Sequence, residues 1–480
     1  MLRLPPRYGP VRTPGPMQIH TDPAGLAPAG TTGAPPETGQ PRARVLAWAA
    51  LAFGLSLTAY VADVTMHPLH FTFRFFDLNI YNHAGLLVRH DPTALYTWHF
   101  MPGVQYLYTP FAAAGFAVTS LLPWALLKWL MAAASFAAVP LTVWVTFGQL
   151  GWRGRRRQAA VLGVSAVALW MEPALVSLQQ GQIELVLMAL IAWDLCQPDT
   201  RRWKGAGVGL AAAIKLVPLI FIVYLVLAGK LRQAAVAASA FAGTVLAGFV
   251  VLPRESVNFW LTGYFLHSGN FPAISLGSLR NQSLLAMVIR APGVSAPGTA
   301  LWLVAAAAVG FLGLAAAALL ARSGRLASGW ITCGVTGVLL SPISWDNHWV
   351  WVVPVLVLLT DAAVAARRAA RLACWAAAAA VAAVFADWPA QIAGPAAFIP
   401  HGLLGFRFGP HPLAEIYHLR GFQLVSWNVY VLAGLGIFAF LLARAAIAWR
   451  RGPALPGVVQ SLPAAAAGHP IASKTASGSR

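Results

Sequence analysis

Acidic residues are scarce in this chain: 14 Asp and Glu stand against 33 Lys and Arg in 480 residues. Charged residues of both signs make up only 10% of it, against roughly 25% in soluble domains. With 58% hydrophobic residues beside so little charge, a water-soluble globular fold is excluded. Cysteine is scarce too. Cys196, Cys333 and Cys374 each lie in or beside an apolar segment without metal-ligand spacing, so they read as packing residues and say nothing about redox compartment. The first ~40 residues are rich in Pro, Gly, Thr and Ala and hold no early apolar stretch, so the first apolar run is expected to serve as an uncleaved signal. No internal repeat is evident, and this argues against a transporter built from inverted halves.

What the chain does have is long apolar runs. They cover residues 45–62, 107–127, 129–147, 159–176, 183–195, 205–228, 234–252, 301–320, 330–343, 350–365, 373–385 and 422–443. At ~20 residues per crossing these read as about 12 transmembrane helices, an all-α polytopic membrane protein. The net charge of +19 is gathered in short clusters between the runs. Arg153, Arg155, Arg156 and Arg157, then Arg201, Arg202 and Lys204, then Arg367, Arg368 and Arg371 read as cytoplasmic loops facing anionic lipid. No basic face interleaved with aromatics appears, so nucleic acid is not expected as a partner.

Arg42 and Arg44 precede the first run and place the N-terminus inside. Residues 1–44 then read as a disordered cytoplasmic tail, 45–443 as the transmembrane domain, and 444–480 as a basic, largely disordered cytoplasmic tail. The segments 63–106, 253–283 and 388–421 are aromatic-rich and hold few basic residues, so they are expected outside, with room for amphipathic helices. One conflict stands: two full crossings between the first outer segment and the Arg153 cluster would put that cluster outside. Lys215 and Pro218 interrupt the run 205–228, as in a broken helix.

Few acids remain for the outer face. Asp77 sits between bulky apolar residues in FRFFDLNIYNHAGLL, and helical spacing turns Tyr81 to the same side. Catalytic base and helix N-cap are both open readings. His348, in SPISWDNHWVW, reads either as an interfacial anchor among tryptophans or as a phosphate contact. Lys215 either snorkels to the cytoplasm or pairs inside the bundle. Glu172 and Glu184 border a polar turn, as intramembrane functional carboxylates or as caps. Asn281, Gln282 and Ser283 spell a glycosylation sequon and could equally hold sugar hydroxyls. His67, His70 and His83 are spaced so that a metal site can be weighed, but carboxylate support is thin and no metal is assigned.

These segments carry a family resemblance. FDLNIY at 76–81, LYTPF at 107–111, WMEP at 170–173, GQIELVLM at 181–188, AAIKLVP at 212–218, RNQSL at 280–284 and SPISWDNHWVW at 341–351 resemble glycosyltransferase family 87, membrane enzymes of the GT-C class. Within it the likeness is to actinobacterial polyprenol-phosphate-mannose-dependent α-1,2-mannosyltransferases. Asn347, the Thr109-Pro110 pair and Glu184 depart from the family pattern. The resemblance implies a GT-C helical bundle in the plasma membrane with its site on the periplasmic face, a polyprenyl-phosphate sugar donor, a lipid-linked glycan acceptor and no required cofactor or metal. It also implies an inverting displacement with Asp77 as base. His348, Lys215, Arg280 and Tyr81 are then expected on the donor, and Asn281, Gln282, Glu172, Gln182 and Trp349 on the substrate. Other lipid-linked sugars such as arabinofuranose, and a transporter or flippase, are the alternative readings.

Overall fold

The computed structural model of the chain describes residues 39–66, 75–101, 104–266, 276–291, 299–386 and 419–450. Helix dominates because apolar backbone away from water must bond within its own segment. The first helix, α1, is Gly39–Met66, and α2 is Phe76–His90, with Asp77 in its first turn and Arg89 and His90 in its last. That charge order suits the helix dipole. A two-stranded antiparallel hairpin, β1 His99–Met101 with β2 Val104–Gln105, follows α2 and sets His99 opposite Gln105.

Thr109 caps α3 (Pro110–Thr119) by accepting from the Ala112 N–H at 3.1 Å, and Pro110 supplies the preset first helical residue. Ten residues span about 15 Å, half a hydrocarbon core. The run 107–127 is therefore not a crossing. The helix α4 (Trp124–Gln149) is one, with 26 residues and a length of roughly 39 Å. Phe75 and Lys128 meet at its start, the ammonium 5.8 Å from the ring, while Arg157 and Arg153 bond the carbonyls of Trp144 and Gly148 near its end. The Asp77 region and the Arg153 cluster thus lie at opposite ends of one crossing, and the parity conflict disappears.

Two further runs split. The helix α5 (Gly154–Ala168) stops short of α6 (Glu172–Gln180), and α7 (Glu184–Leu195) leaves α6 at a bend of 116°. All nine residues of α6 are buried, so this half-helix lies inside protein, where irregular backbone is tolerated at membrane depth. Asp194 caps α8 (Ala206–Ile214) by accepting from the Gly205 and Val208 N–H groups at 3.0 Å. At Lys215 the backbone turns extended (φ −135°, ψ 132°), and helix resumes as α9 (Ile220–Leu227) after a 3-10 turn. The expected break is there.

The chain continues through α10 (Leu231–Val251), α11 (Pro253–Ser256) and α12 (Leu284–Ile289). It closes with α13 (Thr299–Arg322), α14 (Leu326–Leu340), α15 (Val352–Ala365), α16 (Arg368–Phe385), α17 (Phe422–Ser426) and α18 (Val429–Arg450). Among the described residues six helices are long and apolar enough to cross a membrane, or seven if α6 and α7 count as one span. A count of about twelve is not confirmed among the described residues, where several of the apolar runs form half-helices. The last helix runs on to Arg450, past the tail boundary expected at 443. The tail residues 1–38 and 451–480, and most of 388–421, lie outside the described residues.

Candidate active site

Asp77 enters the site on a helix whose start is fixed by neighbouring backbone. The Phe75 N–H donates to the Gln179 carbonyl at 2.9 Å, tying the head of α2 to the tail of α6. Phe75 takes the left-handed conformation (φ 45°) and is itself the N-cap residue, without a side-chain cap bond. Asp77 is the second helical residue, so the N-cap reading of Asp77 is corrected. Gly181 makes the approach possible: its φ is +64°, and a Cβ there would stand 2.7 Å from Leu78 Cβ and 2.9 Å from Phe75 Cδ1.

Half-buried in this corner, the Asp77 carboxyl is pushed up to about 6 by desolvation. The positive charges of Arg280 and Lys215 and a hydrogen bond from Gln182 pull the other way. One turn along α2, Tyr81 donates to Gln182 Oε1 at 2.7 Å and lies 2.7 Å from the Tyr108 hydroxyl. Tyr81 also stacks on Phe116, with ring centroids 4.7 Å apart. Burial raises both phenols above their ordinary value, so they act as neutral donors.

The broken helix brings Lys215 to the same place. Its Nζ donates to Glu184 Oε1 and to His348 Nε2, the latter at 3.0 Å, while Glu184 Oε1 lies 3.2 Å from His348 Nε2. The three side chains sit at the polar end of an open groove. Leu187, Met188 and Ile191 of α7, Ile220 and Phe221 of α9, and Gly334 and Val338 of α14 give it apolar walls.

A third segment completes the corner. Arg280 holds Asp346 with two bonds, Nε to Oδ2 at 2.9 Å and Nη2 to Oδ1 at 2.8 Å, and Asp346 is fully buried. Asn281 and Gln282 are also fully buried. Asn281 spends its amide on the Leu276 and Pro342 carbonyls and the Ser344 N–H, and Gln282 bonds the Leu279 and Trp427 carbonyls and the Tyr430 N–H. Their polar atoms therefore join the segments 276–284 and 341–346 to α18. Glu172 accepts from the Tyr430 hydroxyl within the core. Trp349 is 1% exposed, packed between Gly434 and Phe385.

Asp77, Tyr81, Gln182, Lys215, Arg280 and His348 thus gather around one corner, and Asn281, Gln282, Glu172 and Trp349 lie behind it. Sequence reasoning passed over Asp346, Tyr108 and Tyr430. Asp346 could have been found as the acid two residues before His348 in a segment already singled out. His67 and His70 lie outside the described residues, and His83 stacks on Trp98 at 3.6 Å. Among the described residues no group of three or more His, Cys, Asp or Glu could hold a metal ion.

The family pattern of glycosyltransferase family 87 matches residues 106–342, a stretch that holds Gln182, Lys215 and Arg280. The chain is 31% identical over 342 residues to the polyprenol-phosphate-mannose-dependent alpha-(1-2)-phosphatidylinositol pentamannoside mannosyltransferase of Mycobacterium tuberculosis, covering 70% of this chain and 77% of that one. The protein of that name from Mycolicibacterium smegmatis is 31% identical over 63% of this chain and 73% of its own. The polyprenol-phosphate-mannose-dependent alpha-(1-2)-phosphatidylinositol mannoside mannosyltransferase of Mycobacterium tuberculosis is 30% identical over 58% of this chain and 65% of its own. No solved structure matches the chain.

Proposed function

The chain belongs to glycosyltransferase family 87 and is a membrane glycosyltransferase, and from that premise we propose that it moves mannose from a polyprenyl-phosphate donor to a lipid-linked glycan by inverting displacement with Asp77 as general base. The observation that carries this reading is a desolvated carboxylate, Asp77, within electrostatic reach of Arg280 and Lys215, with Lys215 and His348 at the head of an apolar groove. The groove suits an isoprenoid, and the Lys215 ammonium at its head suits a phosphate. Donor sugar and acceptor are those in the names of the relatives.

In the step, the acceptor hydroxyl oxygen forms a bond to the anomeric carbon while Asp77 takes its proton. The bond from that carbon to the phosphate oxygen breaks, and its electron pair stays on the leaving lipid phosphate. A phosphate monoester with a second pKa of about 6 leaves without a strong acid. What the site must supply is a base near its working pH and positive charge where the phosphate gains it. Tyr81 and Gln182 hold the base, and Asn281, Gln282, Glu172 and Trp349 support the segments that carry Arg280 and His348.

The basic clusters at the far end of α4 support a plasma-membrane topology with the site on the non-cytoplasmic side. Purified protein given radiolabelled polyprenyl-phosphate mannose and a phosphatidylinositol mannoside should form a longer glycolipid with an α-linked mannose. Transfer from a polyprenyl-phosphate arabinofuranose donor instead, or none from either donor, overturns the assignment.

A further inference from the structure

Glu184 is a carboxylate in a place where an anion has to bind. It is the first residue of α7, just past the bend from α6, and its side chain is 8% exposed. Oε1 is held by Lys215, but Oε2 is buried with no hydrogen-bond partner among the described residues. A buried oxygen without a donor is costly, so this carboxylate is not placed for stability alone. His348 engages the Ile343 backbone, which leaves Nε2 as a second acceptor for the same ammonium. Lys215 is therefore divided between two acceptors, while Arg280 holds Asp346 through Nε and Nη2. Lys215, unlike Arg280, lines the groove itself, and its ammonium is placed to change partner there.

We propose that Glu184 is a resident counter-ion, which Lys215 exchanges for the phosphate of the lipid donor and to which it returns when the lipid-phosphate product leaves. The inference rests on the sugar-transfer reading above and adds a release device to the same site. The donor phosphodiester carries one negative charge. When its bond to the anomeric carbon breaks, the electron pair remains on the phosphate, and near neutral pH the monoester tends toward a second charge. Lys215 is drawn most strongly to the phosphate as that charge grows, which favours the transition state over the bound donor. Afterwards Glu184 and the phosphate are like charges sharing one ammonium, and their repulsion expels the product lipid. Glu184 is thus a positioning residue that lowers affinity for lipid phosphate and speeds turnover.

Glu184→Gln keeps the size and one acceptor oxygen but removes the charge. With farnesyl phosphate as probe and full-length protein in detergent, binding should tighten about tenfold, a change in the range expected for one charge contact at a partly desolvated site. Donor KM should fall, kcat should fall with it, and the first turnover should appear as a burst ahead of slow release. In a Lys215→Met background the same change should alter farnesyl phosphate binding less than about twofold, because the effect runs through the ammonium. Should the Gln variant not insert, Glu184→Asp, which withdraws the carboxylate by one methylene, must give the same shifts on a smaller scale. Unchanged or weaker binding by the charge-removing variant, or loss of activity without a burst, overturns the counter-ion role, as does a full-sized effect in the Lys215→Met background. If the unaltered protein binds farnesyl phosphate and transfers sugar but Glu184→Gln binds no tighter, only this inference fails. If the unaltered protein does neither, the transfer reading fails first.

Discussion

Tyr81 donates its hydroxyl proton to Gln182 Oε1 across 2.7 Å, and that bond turns the amide so that its NH2 end faces Asp77. The arrangement has a consequence for the pH profile. Gln182 lowers the Asp77 pKa, whereas desolvation raises it to about 6. As the proposed base, Asp77 works only when ionised, so kcat/KM should fall as pH drops through about 6. Gln182→Leu removes the stabilising bond, so the acid limb should move to higher pH while the plateau at alkaline pH is largely kept. A limb that stays in place in a kcat/KM titration would detach Gln182 from the control of Asp77.

The short α3 leaves one crossing between the Asp77 corner and the Arg153 cluster. A cysteine placed at exposed Asp91 and another at exposed Arg155 should react with an impermeant maleimide from opposite sides of a sealed membrane, Asp91 from the outer side. The labelling is to be done with Cys196, Cys333 and Cys374 replaced. Labelling of both positions from the same side would mean that α3 crosses after all.

Which polar groups gather at one corner was easier to read from the sequence than the number of crossings. Asp77, Tyr81, Lys215 and His348 stand out because a polar group in an apolar run is costly and needs a reason. Lys215 with Pro218 announced a broken helix, and the chain does break there. Hydropathy alone could not tell α6 or α3 from a crossing, because a half-helix buried in protein is as apolar as one in lipid. Nor could it separate Arg280, at the corner, from Asn281 and Gln282, which are spent on backbone within their own segment and at Pro342 and Trp427. Which of three adjacent polar residues faces a site is decided by a turn, and the turn is set by partners distant in sequence. Asp346 was missed for the same reason: its importance comes from Arg280, 66 residues earlier.

Gly181 tests whether the head of α2 must sit this close to α6. Alanine there meets a left-handed backbone and places a Cβ 2.7 Å from Leu78 Cβ. Overpacking of this kind costs about 1–3 kcal/mol, and the left-handed conformation adds to it. Gly181→Ala should therefore lower the unfolding temperature in detergent and cut kcat, since α2 carries Asp77. Gly151→Ala is the matched control, because Gly151 has the same sign of φ (+87°) with open space where a Cβ would go. It should cost some stability and leave kcat nearly unchanged. Equal kcat losses in both variants would show that the contact with Leu78 does not position the base.

Asp77→Asn separates catalysis from structure most cleanly. Asn keeps the shape and can accept a hydrogen bond, but it cannot take a proton from the acceptor hydroxyl. Turnover should fall at least about a hundredfold, the usual contribution of a general base, while farnesyl phosphate still binds. Stability should move the other way. The Asp77 pKa is raised from 3.8 to about 6 in the folded chain, so the fold favours the protonated carboxyl. That contribution is fully present below 3.8 and is lost as pH rises through about 6, which leaves a destabilising charge at pH 7.5. Since the side chain is only half-buried, the cost is on the order of 2 kcal/mol or less. The Asn variant carries no charge at any pH, so at pH 7.5 its unfolding temperature should equal or exceed that of the parent. The gap should close as pH is lowered toward 4. A variant that unfolds early at pH 7.5 would make Asp77 a structural residue, and near-normal turnover by a stable variant would remove it from the chemistry.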